Sequence, residues 1–215
     1  MPNTQYKIAE TFMSVQGEGS QSGQAAFFIR FHGCNLTCDF GNGFVCDDKA
    51  HSGPTSEMLS SLDLVIRARK SNTHNIVITG GEASLNGAVD KLIRYLRHEG
   101  YHVAVETNGH KMERLLDANL ITYSPKTGFG DKARLVPYEE YQAMNHGGEI
   151  ELKLLAGKDN HVDEGRWDSY PLKYIQAIGY THEFDADNLT YCVDFVTNHK
   201  KWYLSTQIQK LYKVD

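Results

Sequence analysis

The sequence predicts an α/β domain built on a largely parallel sheet, and three observations carry that expectation. Short β-branched or aromatic runs alternate with stretches of helical period along the whole chain. Polar, often glycine-containing punctuation follows those runs at their carboxyl ends, where open parallel sheets place ligands. With 40% hydrophobic and 23% charged residues over 215 positions, the chain suits a single domain, residues 1–215, with a sizeable core.

The first buried strand is "AAFFIRF", residues 25–31, followed by a cysteine-bearing loop. In "SEMLSSLDLVIRARK" the apolar residues Met58, Leu59, Leu62, Val65 and Ile66 recur at helical spacing. "NIVIT" is a β-branched strand ending in Gly80-Gly81, and "AVDKLIRYLRHEG" is an amphipathic helix stopped by Gly100. Then follow strand "YHVAVE", a short helix near 111–117, strand "LITYS" and a helical stretch around 138–145. Strands "EIELKLL" and "LKYIQAI", a helix near 187–199 and a last strand "WYLS" complete the pattern. Four strand ends carry candidate ligands: Thr79-Gly80-Gly81-Glu82, Glu106-Thr107-Asn108-Gly109, Ser124-Pro125-Lys126 and Gln176.

Charge and composition exclude several classes. A net charge of −5 gives no general reason to bind nucleic acid or an anionic membrane. The N-terminus lacks the basic-then-apolar signature of a signal peptide, and no apolar run approaches the roughly 20 residues that span a bilayer. A cytoplasmic location is expected, where thiols stay reduced and clustered cysteines bind metals or act in catalysis.

Cys34, Cys38 and Cys46 follow a strand with the spacing C-x₃-C-x₇-C. Thiolates on a loop can converge on an iron–sulfur cluster or on zinc. Three protein ligands leave one metal position open for chemistry, whereas a structural site wants four. His51 is a candidate fourth ligand for zinc. Cys192, in "LTYCVDFV", reads as a buried helical thiol. Arg30 lies on an otherwise apolar strand and needs an anionic partner, either a ligand carboxylate or an internal acid such as Glu18 or Glu10. Gln176, in "YIQAI", needs hydrogen-bond partners if buried.

The loop "GCNLTCDF" after "FFIRF", with "TGGE" at a later strand end, resembles the radical S-adenosylmethionine (SAM) superfamily. Within it, "ETFMSVQGEGSQSGQAAFFIRFHGCNLTCDF", "VAVETNG", "ITYSPK", "EIELKLL", "YIQAI" and "KKWYLSTQIQKLYKVD" resemble the 7-carboxy-7-deazaguanine synthase family. The resemblance implies a truncated partial (β/α) barrel, an N-terminal substrate-binding segment and a C-terminal tail closing the site, commonly in a homodimer. It implies a 4Fe–4S cluster, SAM and Mg²⁺, with a one-electron donor that the sequence does not identify; the charge balance already gave no nucleic-acid or membrane partner. The reaction implied turns 6-carboxy-5,6,7,8-tetrahydropterin into 7-carboxy-7-deazaguanine with loss of ammonia, by a radical that reductive cleavage of SAM releases.

Carried onto this chain, the resemblance assigns Cys34, Cys38 and Cys46 to the cluster and Asp48 to Mg²⁺. It assigns Gly80, Gly81, Glu82, Glu106, Ser124, Pro125, Lys126, Tyr174, Ile175, Gln176 and Ala177 to SAM. Val15, Gln16, Gly17, Glu18, Arg30, Thr79 and Asp215 fall to the substrate. Two departures matter. The family usually spaces its cysteines C-x₃-C-x₂-C, but position 41 is glycine and the next cysteine is Cys46. Either "GNGFV" is an insertion that lengthens the loop so that Cys46 takes the third corner, or the cluster has been lost; the acidic residues after Cys46 favour the insertion. Asp48 then stands where the family has a threonine. Ala83, Ala177 and Gln209 also differ from the family's usual proline, proline and histidine. A glycyl-radical activase, a small zinc-binding interaction module and a non-catalytic scaffold are the alternatives.

Overall fold

The computed structural model describes residues 3–41, 43–46, 48, 50–126, 134–144, 147–179 and 183–212. Its strands are β1 (Gln5–Val15), β2 (Ala25–Phe31), β3 (Asp39–Gly41), β4 (Phe44–Val45), β5 (Glu57–Ser60), β6 (Asn75–Gly80), β7 (His102–Thr107), β8 (Leu120–Tyr123), β9 (Glu149–Ala156), β10 (Lys173–Ala177) and β11 (Trp202–Ser205). The helices are α1 (Ser61–Arg69), α2 (Val89–His98), α3 (Tyr138–Ala143), α4 (Ala186–Asn198) and α5 (Ile208–Tyr212). Nine strands form one sheet in the order β11-β10-β9-β8-β7-β6-β2-β1-β5, and β3 and β4 pair by themselves. Along the run β2, β6, β7, β8, β9, β10 and β11 every pairing is parallel and each strand lies beside the one before it, as successive β–α crossovers dictate. β1 and β5 add an antiparallel edge.

Strand periodicity divides the sheet into two chemically different faces. Ile29, Ile76, Ile78, Val103, Val105, Ile121 and Ile175 point toward the helices and share the main core with Leu64, Val65, Leu92, Ile93, Leu96 and Phe195. The opposite face begins with a small apolar floor of Ala26, Phe28, Val77, Ala104 and Leu120, on which Phe12 stacks against Phe28 with ring centroids 4.9 Å apart. Beyond that floor, toward the strands' carboxyl ends, the same face turns polar.

The expected alternation of elements is present, with informative departures. β1 was not foreseen: Tyr6 and Ile8 are buried on alternate residues, but a register shift between Ile8 and Glu10 interrupts the period. The expected helix beginning near Met58 starts at Ser61 instead. Ser60 caps it in a reciprocal capping box with Asp63, and Met58 and Leu59 belong to edge strand β5. The helical period was right but its phase was not, because Leu64, Val65 and Ala68 are buried while Met58, Leu62 and Ile66 are exposed. The short helix expected near 111–117 is one 3₁₀ turn, Met112–Arg114. The tail after β11 adds helix α5, an element not expected from the sequence.

Candidate active site

Three strand ends interlock around the cysteine loop. Gly80 has φ +109, and a Cβ there would lie 2.3 Å from the Phe31 carbonyl oxygen, so only glycine suits the end of β6 beside β2. A Cβ on Gly81 would come within 2.0 Å of Gly33 O and 2.9 Å of Cys34 Cβ. The Glu82 amide donates to Gly33 O at 2.9 Å. Both glycines thus serve the close seating of "TGGE" against the cysteine loop. Glu82 is 2% exposed, and its carboxylate accepts from Ser84 N (3.1 Å), Thr107 Oγ1 (2.8 Å) and Asn108 N (2.7 Å). It therefore splices the end of β6 to the end of β7. Asn108 extends the link, donating from Nδ2 to Asn35 Oδ1 at 2.9 Å beside Cys34.

The lengthened cysteine loop folds as a hairpin. β3 and β4 pair antiparallel, Asp39 opposite Val45, and the Cys46 amide donates to Cys38 O at 3.2 Å. That bond sets the third cysteine on the rung beside the second, closing the β3–β4 pair at its open end. Gly41, at φ +78, supplies the left-handed backbone such a turn needs. Cys34 opens the loop; burial pushes its thiol up, opposed by the Leu36 amide that donates to Sγ at 3.4 Å. Among the described residues no three His, Cys, Asp or Glu side chains are gathered closely enough to hold a metal ion. The donor chemistry nonetheless fits a three-thiolate iron–sulfur site, with two cysteines joined across one backbone ladder and the third at the loop's start. His51 Nε2 lies 3.8 Å from Cys46 Sγ, with its buried Nδ1 unpartnered among the described residues. Cys192 is fully buried in α4, donating to Ala156 O at 3.8 Å; burial pushes its thiol up to about 12, as suits a packing residue.

Arg30 reaches the open face and carries two ion pairs, Nε to Glu10 Oε1 and Nη1 to Asp48 Oδ2, each at 2.7 Å, and its guanidinium lies over the Phe12 ring. Glu10 was one of the internal partners anticipated; Asp48 was not. Asp48 Oδ1 accepts from the His51 amide at 3.3 Å, so both of its oxygens are engaged. In this arrangement Asp48 is already committed, and a Mg²⁺ ion there would have to share the carboxylate with the guanidinium or displace it.

On the other side of the open face lies a buried charge network. Lys153, 3% exposed in mid-β9, donates to Glu18 and to Glu106 Oε2, the latter at 3.1 Å. Gln16 Nε2 donates to Glu106 Oε1 at 3.0 Å, and its Oε1 accepts the Glu18 amide at 3.2 Å. Gln207 and Gln209 donate to Glu18 Oε1 at 2.7 and 3.4 Å, and Ile208 N donates to Gly17 O at 3.3 Å. The C-terminal tail is thereby fastened onto the Gln16-Gly17-Glu18 loop. A Cβ on Gly17 would fall 1.5 Å from Gln209 Oε1 and 3.2 Å from its backbone nitrogen, so a side chain here would push the Gln209 side chain off its present seat. Burial works against the Glu18 carboxylate's charge, but the Lys153 ammonium and hydrogen bonds from Lys153, Gln207 and Gln176 overcome it and hold the pKa at about 2. The same carboxylates hold Lys153 protonated against its own burial.

The other anticipated residues distribute as follows. Thr79 stands opposite Arg30 in the β2–β6 register, on the open face. Ser124 follows β8, its amide donating to Thr107 O at 2.8 Å; Lys126 Nζ donates to Ser124 Oγ at 2.7 Å beside buried Pro125. Gln176 is buried, and its Oε1 accepts from Ser205 Oγ at 2.7 Å. Ile175 and Ala177 point into the core, so only their backbone can meet a ligand, while Tyr174 lies on the open face against Tyr203. Val15 ends β1 and leads into the Gln16 loop. Asp215 lies outside the described residues. Sequence reading missed Lys153, Glu151, Ser205 and Gln207. Glu151 accepts from Thr122 Oγ1 at 2.8 Å and Ser20 N at 2.9 Å, anchoring the same loop. The signal was there: "EIELKLL" sets Glu151 and Lys153 two residues apart in an apolar strand, hence on one face.

Comparison with known proteins places this architecture. A family model described as the radical SAM superfamily matches residues 28–136, which include the cysteine loop and the ends of β6, β7 and β8. The 7-carboxy-7-deazaguanine synthase of Bacteroides thetaiotaomicron is 31% identical over 209 residues, covering 97% of this chain and 98% of that protein. The chain belongs to the 7-carboxy-7-deazaguanine synthase family. The Synechocystis enzyme of the same name is also 31% identical, over 95% of this chain and 91% of its own. The crystal structure of QueE from Escherichia coli shares the fold, with TM-score 0.65, 22% identity and 94% coverage of both chains. The mostly parallel sheet is accordingly the partial barrel of radical SAM proteins, and the open face is the inside of that barrel. Membership implies a 4Fe–4S cluster and SAM. No described helix is long and apolar enough to cross a membrane.

Proposed function

We propose that this chain is a radical SAM lyase converting 6-carboxy-5,6,7,8-tetrahydropterin to 7-carboxy-7-deazaguanine with loss of ammonia, in queuosine or related deazapurine biosynthesis. The observation that carries the reading is the match to synthases of that name over nearly the full length of both chains. The tail-closed Gln16-Gly17-Glu18 loop beside the cofactor strand ends supports it.

Cys34, Cys38 and Cys46 hold the cluster, and when bound the cluster and SAM supply a one-electron reductive cleavage that starts radical chemistry. The chain's own residues do the rest. Glu82 keeps the ends of β6 and β7 in register. Glu106, Ser124, Lys126 and Gln176, with the backbone at Gly80, Gly81, Tyr174, Ile175 and Ala177, face SAM. Glu18, ionised and therefore an acceptor only, receives N–H groups of the pterin, while Gln16, Gly17 and Thr79 frame it. Arg30 presents a guanidinium to the substrate carboxylate, which exchanges for Glu10, the more exposed of its two internal acids, while Asp48 stays paired. Mg²⁺ has no step in this proposal, because Arg30 occupies the carboxylate it would use.

Cytoplasmic location and an external one-electron donor complete the reading, together with a homodimer. Leu62 and Ile66 support the dimer, exposed apolar residues one turn apart on α1. Light scattering checks it, with Leu62→Glu expected to yield monomer. The activity is tested by anaerobic cluster reconstitution, iron and zinc analysis, and incubation with SAM, reductant and the carboxytetrahydropterin. Brown protein that releases ammonia and the deazaguanine supports the proposal. Brown protein that cleaves SAM but leaves the pterin intact redirects it to another radical reaction, and colourless zinc protein to an interaction module.

A further inference from the structure

We propose that Lys153 is a positioning residue that couples the substrate loop to the cofactor strand end, so that SAM is cleaved productively only when the pterin is seated. The inference rests on the reading given under Proposed function and adds a residue and a regulatory role to it. Lys153 belongs to neither ligand's set. It rises from the middle of β9 and is buried, yet its one ammonium bridges Glu18, in the loop after β1, and Glu106, at the end of β7. Those carboxylates come from elements with five strands between them in sequence, and the proposed function gives them to different ligands.

The bridge is closed into a ring. Glu106 accepts from Gln16, Gln16 accepts from the Glu18 amide, and Glu18 returns to Lys153. Two carboxylates and one ammonium leave a single net negative charge, with Lys153 and Glu18 shielded from water and the Glu106 side chain 23% exposed. In such a setting neither carboxylate can shift without leaving a charge unpaired, and unpaired buried charges are strongly disfavoured. A ligand that draws on Glu18 therefore alters the hold on Glu106, and the converse holds by linkage. Gln207 and Gln209 bond the same Glu18, so tail closure feeds into the same ring. Inert structural glue would stabilise the fold but would carry no preference between a half-filled and a filled site.

The test compares reconstituted parent enzyme with Lys153→Met and Lys153→Arg. Calorimetry gives the SAM affinity with and without the carboxytetrahydropterin, and turnover gives the ratio of 5′-deoxyadenosine to deazaguanine product. In the parent, the pterin is expected to tighten SAM binding by about fivefold or more, the usual lower bound of allosteric coupling. In Lys153→Met that factor falls to near one and the 5′-deoxyadenosine ratio rises. Lys153→Arg, which keeps the charge and two-pronged donation, restores most of both. A Lys153→Met enzyme with parental coupling and ratio, however slow, overturns the proposal. Should that variant not fold, Lys153→Arg and Lys153→Gln carry the same comparison, and equal coupling in both overturns it. A parent enzyme that leaves the pterin untouched is a distinct result, which overturns the substrate reading and this inference with it.

Discussion

The two ends of the barrel's open face are held by different means. Around the cysteines the chain is fixed by backbone: the β3–β4 ladder, the Glu82-to-Gly33 amide bond and two glycines seated on their neighbours. Around Lys153 it is fixed by charges around a buried ammonium, with partners drawn from the loop after β1, from β7, β9 and the tail. A ladder can absorb extra residues by extending one rung and turning back. A buried ion network cannot, because every displaced charge lacks water to replace its partner. The departure from family spacing therefore falls at the end whose physics tolerates it.

The largest expected effect tests the hairpin's purpose. Cys46→Ala should lower reconstituted iron to background and abolish product, because Gly41 offers no sulfur in its place. Cys192→Ala, which removes a thiol packed in α4, should keep the brown colour and full turnover at a stability cost of about 1 kcal/mol. Iron analysis and the visible spectrum separate them. A Cys46→Ala protein with a full cluster would break the distinction between the two regions.

The glycines grade the backbone end more finely. Alanine at position 81 drives a Cβ into Gly33 O, a backbone atom that cannot swing aside, and should cost about 1–3 kcal/mol while loosening the cluster loop. Alanine at position 41 meets nothing within 4 Å and suffers only its positive φ, about 1 kcal/mol, with iron content unchanged. Urea midpoints with parallel iron assays would reveal equal effects, the outcome that contradicts a tightly seated "TGGE".

Much of this arrangement was legible because it follows from strand periodicity and from punctuation at strand ends. Arg30, Thr79, Glu106 and Gln176 were readable as interruptions of apolar runs, and the fold places Arg30 and Thr79 opposite each other on one face. Lys153 and Glu151 gave the same signal and were passed over in a strand read only for its type. The partners were less accessible. That Arg30 would meet Asp48 depends on how the cysteine loop folds back, and that Glu18 would meet Gln207 depends on a pairing across most of the chain; no local pattern encodes either. The α1 phase was obscured because edge strand β5 lent its Met58 and Leu59 to the apparent helix, and only the Ser60 capping box marks the boundary.

Acid should probe the charged end selectively. Glu18 has its carboxyl depressed to about 2 in the fold, so its contribution is complete above its unfolded value near 4.5 and disappears as pH falls between the two. Urea unfolding followed from pH 6 downward should show stability lost across that window. Glu18→Gln should flatten this part of the profile, since the amide has no proton to take up. A variant with the same acid slope as the parent would show that other groups govern the loss.

The smallest expected effect lies where the two regions meet, at Arg30. Its guanidinium occupies Asp48 Oδ2 at 2.7 Å, and the His51 amide occupies Oδ1, so the position the family gives to a magnesium ligand already has its cation. Turnover in magnesium-free buffer should match turnover in millimolar Mg²⁺, and Mn²⁺ added as a spectroscopic stand-in should give no protein-bound signal. Asp48→Thr frees one arm of Arg30 and removes the competing pair, and there added Mg²⁺ should begin to raise the rate. A parent enzyme that gains activity with Mg²⁺ would mean that substrate binding draws Arg30 off Asp48. The ion pair would then be a resting contact, and the backbone-held end more mobile than its ladder suggests.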